Sequence, residues 1–179
     1  MNNSITITGA TGFVGKNLKQ YLFKNFEIND LSIRYIKNQS FEFKSKSIIH
    51  LAGIAHDLKG NYKYEDYHKS NFELTKQVFD SFLLSNAEKF IFLSSVKAVS
   101  DSVKNELIES INPEPKTYYG KSKLLAEKYI LSKKLPFNKK VYILRPCMIH
   151  GPHNKGNLNL LFKLCRLGMP WPLGLYENE

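Results

Sequence analysis

Apolar residues along this chain fall into short runs, separated by stretches in which they recur with a helical period. Residues 5–8, 31–35, 47–51, 90–95 and 141–145 are β-branched or apolar runs of strand length. Between several of them the apolar positions share one helical face: Leu18, Tyr21 and Leu22 in the segment 16–25, continued by Phe26; Phe72, Leu74, Val78, Phe79, Phe82 and Leu83 in 72–84; Leu124, Leu125, Tyr129 and Ile130 in 118–132. Strand alternating with helix predicts an α/β fold built on a parallel sheet. One crossover differs, because residues 36–46 are too few and too poor in periodic apolar positions for a full helix. Phe41-Glu42-Phe43 is expected there as a small extra strand. The prolines of Asn112-Pro113-Glu114-Pro115 disfavour helix in the residues before them and mark a turn. A loop from Gly151-Pro152 leads to a short helix over 158–167, and the segment from Pro170 reads as neither helix nor strand.

With 179 residues, 42% of them hydrophobic, the chain can bury one sizeable core and is too short for two ordinary domains. An aromatic content of 13% and a charged content of 23% exclude a disordered chain. The formal charge of +10 favours anionic partners. Its lysines are scattered, without a basic stripe interleaved with aromatics, so no nucleic-acid partner is expected. No run approaches the roughly 18 apolar residues of a membrane span and the start lacks an export signal, so the expectation is a soluble, cytoplasmic protein with no membrane contact. Cys147 and Cys165 form no Cys-x-x-Cys and no Cys/His cluster, which fits a reducing compartment and no metal. The five histidines have no ligand spacing, and His50, after Ile48-Ile49, reads as a packed strand residue. There is no Gly-x-Ser-x-Gly elbow for a hydrolase.

Thr8-Gly9-Ala10-Thr11-Gly12-Phe13-Val14-Gly15 directly follows the first strand run and opens the first helix. Glycines in that place permit a tight turn and bring backbone N–H groups and a helix N-terminus close to a pyrophosphate. The sheet is therefore read as a Rossmann-type doubly wound parallel sheet with flanking helices. About 20 residues further on, an acidic side chain would hold a ribose hydroxyl and an arginine would accommodate a 2′-phosphate. Asp30 is placed just before the second strand and Arg34 at its far end. Arg34 leans the reading toward NADP, and NAD stays open.

Tyr119 and Lys123 are four apart and share a helix face. An ammonium beside a phenol favours the phenolate and suits a general acid/base, although such pairs also arise in ordinary packing. Ser94-Ser95 ends the strand run Phe90-Ile91-Phe92-Leu93, where a hydroxyl faces the crevice outside the carboxyl ends of the strands.

Taken in order, the glycine motif, His50-Leu51-Ala52-Gly53, Asn71 with Thr75, Ser94-Ser95, Tyr119-x-x-x-Lys123, Leu144-Arg145-Pro146 and Gly151-Pro152 resemble the extended short-chain dehydrogenase/reductases, in their NAD-dependent epimerase/dehydratase branch. The resemblance implies that Gly9, Thr11, Gly12, Phe13, Val14 and Gly15 hold the pyrophosphate side of NAD or NADP. Arg34, Leu51, Ala52, Gly53 and Asn71 would complete the cofactor site. Tyr119 would be the acid/base, Lys123 would bind the nicotinamide ribose and lower the pKa of Tyr119, and Ser95 would bond the reacting oxygen. The activity implied is that of a UDP-sugar 4-epimerase working through a 4-keto intermediate. The alternatives are a nucleotide-4-keto-sugar reductase and, in another class, a dinucleotide-binding module without catalysis. A nucleotide sugar is the implied substrate and a homodimer the implied assembly.

Residues 1–150 are expected as the NAD(P)-binding domain and 151–179 as the start of a C-terminally truncated substrate-binding region, since members of the family continue well past this length. Three positions depart from the pattern: Cys147-Met148 stand where Asn or Asp often follows Arg-Pro, Ser100-Asp101 replace Tyr-Gly after the serine motif, and His150 replaces a tyrosine before Gly-Pro.

Overall fold

The computed structural model describes residues 3–55, 61–102, 106–154 and 158–168. The expectations for the tail from Pro170 lie outside them. Five parallel strands, β1 (Ser4–Thr8), β2 (Glu27–Leu31), β3 (Ser47–His50), β4 (Lys89–Leu93) and β5 (Lys140–Leu144), form one sheet in the order β2-β1-β3-β4-β5. All five residues of β1 are buried, as in a central strand covered on both faces. Successive side chains alternate between faces. Ile5, Ile7 and Ala10 pack with Leu18, Leu22 and Ile49 under helix α1 (Phe13–Leu22). Ile48, Phe90 and Phe92 lie on the other face, under α3 (Leu74–Leu84) and α4 (Tyr118–Ser132). Helices thus cover both faces, the doubly wound arrangement that the alternation of elements predicts.

The helix before α3 begins earlier than the apolar period indicates. A short α2 (Tyr64–Tyr67) runs through a π-helical stretch, His68–Glu73, directly into α3. The wider π turn shifts the phase of the side chains, so a regular 3.6-residue period is readable only from Phe72 onward.

Two expectations are corrected in the β2–β3 crossover. The second strand is Glu27–Leu31, not 31–35, and residues 41–43 form no strand. Register explains the first: Leu31 pairs with Thr8, the last residue of β1, so no strand is left for residues 32–35 to pair with. Their alternating Ile33 and Tyr35 pack on the core without a ladder, as Phe41 does, and Phe43 is buried there.

Two compact units divide the chain, Met1–Ile149 and His150–Glu179. The second contains α5 (Leu158–Arg166), which closes on Gly168 at φ +70°, the left-handed residue common after a helix end. Among the described residues no helix is long and apolar enough to cross a membrane, and no three His, Cys, Asp or Glu side chains are grouped to hold a metal.

Candidate active site

β1 has β2 on one side and β3 on the other, so a crevice opens where the chain order reverses, outside the carboxyl ends of β1 and β3. The turn after β1 sits there. Gly9 has φ +70°, and a Cβ on it would lie 2.8 Å from the Ala52 backbone nitrogen, so only glycine fits. At Gly15 a Cβ would lie 2.6 Å from the Ala10 Cα, because the first turn of α1 rests directly on the loop. The N-cap of α1, Gly12, makes no side-chain cap, and no acidic residue occupies the first turn. Uncapped backbone N–H groups and the positive end of the helix dipole are left to an anion. This donor set and the absence of Cβ atoms fit a dinucleotide pyrophosphate.

Gly9, Gly12, Phe13, Val14, Gly15, Leu51 and Gly53 line one crevice together with Ile54, Ala55, Leu93, Ser94, Tyr119 and Lys123. Ala52 is buried, with its backbone N–H donating to Thr8 Oγ1 at 3.2 Å. Asn71 acts from behind the crevice wall. Its Oδ1 accepts from the Ile54 N–H at 2.7 Å, and its Nδ2 donates to the Ile54 carbonyl at 2.9 Å and to Ser122 Oγ at 3.0 Å. Thr11 is exposed and borders a separate depression with Lys16, Lys19, Phe23 and Asp30. Asp30 lies within β2 opposite Ile7 and is paired with Lys19. Arg34 is exposed, three residues beyond β2.

Ser95, buried two residues beyond β4, lies near enough to Tyr119 to act on its phenol. Burial raises the Tyr119 pKa above that of an ordinary phenol, the Ser95 hydroxyl pulls it down, and the nearby Tyr67 pushes it up. The expected lowering by Lys123 is therefore corrected. Lys123 Nζ is turned away to donate to the Leu93 carbonyl at 2.8 Å, above the Phe92 ring at 4.7 Å. Burial brings Lys123 itself down to about 8, against the raising effect of Glu127.

Residues 5–167 match the model of the NAD dependent epimerase/dehydratase family. The chain belongs to this family. It is 31% identical over 201 aligned residues to UDP-glucose 4-epimerase of Vibrio cholerae, covering 97% of this chain and 60% of the relative. It is 29% identical over 183 aligned residues to N-acetyl-alpha-D-glucosaminyl-diphospho-ditrans,octacis-undecaprenol 4-epimerase of Escherichia coli O157:H7, covering 91% and 54%. The chain thus spans little more than half the length of these curated relatives. In fold it matches the UDP-glucuronic acid 4-epimerase from Bacillus cereus solved with NAD, with a TM-score of 0.71 at 21% identity over 94% of this chain and 64% of that one. It also matches dTDP-4-dehydrorhamnose reductase from Bacillus anthracis solved with NADP, with a TM-score of 0.76 at 20% identity over 93% and 61%.

Two features of this epimerase/dehydratase family member are not evident from its motifs. Asp101, one of the departures noted above, accepts from the Lys116 N–H at 2.6 Å, the Thr117 N–H at 3.0 Å and Thr117 Oγ1 at 2.8 Å. Thr117 is the N-cap of α4 and accepts from the Gly120 N–H at 3.2 Å, so Asp101 anchors the helix start that carries Tyr119. These bonds hold the Asp101 carboxyl below its usual range, against the opposing effect of its burial. The second feature is Glu127, almost wholly buried on α4, which accepts from Ser94 Oγ and from Arg145. Its sequence signal was its place four residues after Lys123, on the same helix face.

Proposed function

We propose that this chain carries the dinucleotide cradle and the proton-transfer groups of a nucleotide-sugar 4-epimerase acting on a UDP-sugar. The main support is that Tyr119 and Lys123, one helical turn apart, line the same crevice as Gly9, Gly12 and Gly15, with the Ser95 hydroxyl near enough to act on the Tyr119 phenol. Residues 1–150 form the NAD(P)-binding domain and 151–179 begin the sugar-binding region. Gly9, Gly12 and Gly15, with Phe13 and Val14, hold the cofactor pyrophosphate; Leu51 and Gly53 line the path toward the nicotinamide. When bound, the nicotinamide supplies hydride acceptance and return at a sugar carbon. Tyr119 Oη exchanges the proton of the sugar hydroxyl, Ser95 orients that oxygen, and Lys123 holds the nicotinamide ribose. The curated relatives, both 4-epimerases of diphospho-linked sugars, support this substrate class. Two free cysteines fit a cytoplasmic setting, and a homodimer is the assembly the family resemblance implies.

A second reading is reduction of a nucleotide-4-keto sugar, in which the Tyr119 phenol donates its proton to the ketone oxygen.

Titration of the chain with NADH and NADPH, followed by the nucleotide's own emission, tests the cradle. Saturable binding is expected, and a preference for NADPH would give Arg34 a 2′-phosphate to hold. No binding of either nucleotide would overturn the proposal. Interconversion of a UDP-hexose at C4 by the whole protein, against turnover of a 4-keto sugar alone, separates the two readings.

A further inference from the structure

The last residue of β4 and the two after it, Leu93, Ser94 and Ser95, meet one stripe of α4, and two of them are held by it through hydrogen bonds. The Leu93 carbonyl accepts from Lys123 Nζ at 2.8 Å, Ser94 Oγ donates to the Glu127 carboxylate, and the Ser95 hydroxyl lies near enough to Tyr119 to lower its pKa against the effect of burial. Tyr119, Lys123 and Glu127 are spaced four apart, so they stand above one another on a single helix face. From the exit of β5, Arg145 clamps the same carboxylate, with Nε 3.0 Å from Oε1 and Nη2 2.6 Å from Oε2. Just beyond it, the Pro146 carbonyl accepts from the Val96 N–H at 3.1 Å. Glu127 is 1% exposed. Desolvating a carboxylate so completely is costly, and an apolar residue would often serve packing as well.

We infer that Glu127 is a positioning residue for the proton-transfer set: its charge keeps Lys123 protonated in a buried site, and its bonds to Ser94 and Arg145 fix the strand end that presents Ser95 to Tyr119. This role presupposes the assignment of Tyr119 and Lys123 above. Among the described residues, no other group facing Lys123 supplies a negative charge at neutral pH. His50, from β3, is neutral and acts only as an aromatic neighbour of Phe92. Tyr119, on the same helix, is a protonated phenol, and Tyr67 from α2 touches the Tyr119 ring. Arg145 lies beyond Glu127 and offsets part of its charge. Burial alone pulls Lys123 downward and Glu127 opposes it.

The two members of the Glu127–Arg145 pair should therefore act on Lys123 in opposite directions, which a merely structural pair would not do. The Lys123 side-chain resonance, assigned by its loss in Lys123→Met, can be titrated by NMR in the full chain without ligand. Glu127→Gln should lower the Lys123 midpoint by about 1 unit or more, Glu127→Asp should keep it near wild type, and Arg145→Met should raise it. An unchanged midpoint in folded Glu127→Gln overturns the inference, as does a midpoint that stays or falls in Arg145→Met. If Glu127→Gln does not fold, the sign in Arg145→Met decides alone. Failure of the functional reading shows separately, as a wild-type chain that binds no dinucleotide while its Lys123 midpoints remain readable.

Discussion

Thr8 and His50 face each other across the β1–β3 ladder, and their side chains meet, Oγ1 to Nδ1, at 2.7 Å. Thr8 Oγ1 already accepts from the N–H groups of Leu51 and Ala52, so its own proton goes to Nδ1. On the other side of the ring, Thr75 Oγ1 donates to the Asn71 carbonyl at 2.7 Å and must therefore accept from Nε2–H, 2.9 Å away. One neutral tautomer satisfies every partner, and no acceptor is left for a second proton. Burial, helped by Lys123, accordingly brings His50 down to about 3.

The sign of the pH effect follows. Between about 3 and 6.5 the unfolded chain binds a proton at His50 that the folded chain does not, so this contribution is full above pH 6.5 and is lost progressively as the pH falls toward 3. At about 1.4 kcal/mol per unit, wild type should lose about 2 kcal/mol through His50 between pH 6.5 and 5. Urea unfolding of wild type and His50→Gln at both pH values checks this; equal acid losses in the two proteins would refute it.

Tyr119→Phe removes the phenol oxygen and leaves the ring that packs on Tyr67. Dinucleotide affinity should stay within about twofold, while turnover by the whole protein falls by on the order of 10² or more. Parallel loss of both, in nucleotide titration and steady-state assay, would make Tyr119 structural.

The central fold was legible because its signals are local. The apolar runs at β1, β3 and β4 are what buried parallel strands require, β5 at the sheet edge still turns Val141 and Ile143 to the core, and the period over 118–132 coincides with α4, Tyr118–Ser132. β2 was misplaced because it is an edge strand with three polar residues in five. Its sequence, Glu-Ile-Asn-Asp-Leu, is polar where it meets solvent, whereas the more apolar 31–35 owes its alternation to packing without a partner strand. At the site, spacing revealed that Tyr119 and Lys123 share a helix face. It could not reveal that Lys123 points to the Leu93 carbonyl, because that depends on where β4 ends against α4.

Gly15→Ala places a methyl group 2.6 Å from the Ala10 Cα, within backbone that has no flexible side chain to yield. A loss of about 1–3 kcal/mol in urea unfolding is expected, together with weaker nucleotide binding as α1 is pushed off the turn. Wild-type stability and affinity in this variant would mean that the close approach is dispensable.

Lys139 gives a change remote from the crevice. Its ammonium, in a residue only 7% exposed, donates to the carbonyls of Phe82, Ser85 and Ala87 at 2.9, 2.7 and 2.6 Å, closing the end of α3. Lys139→Met should cost about 2 kcal/mol or more by leaving these acceptors unpaired. Nucleotide affinity measured well below the unfolding transition should not change.

The strand order also sets an order in time. β1 has both of its ladder partners once residue 50 has been made, because β2 and β3 flank it, whereas β4 and β5 add outward one after the other. At the roughly 5–20 residues per second of synthesis, the strands around the glycine turn are available several seconds before Tyr119 is added. In the life of each molecule, the glycine turn can close before the tyrosine that will face it has left the ribosome.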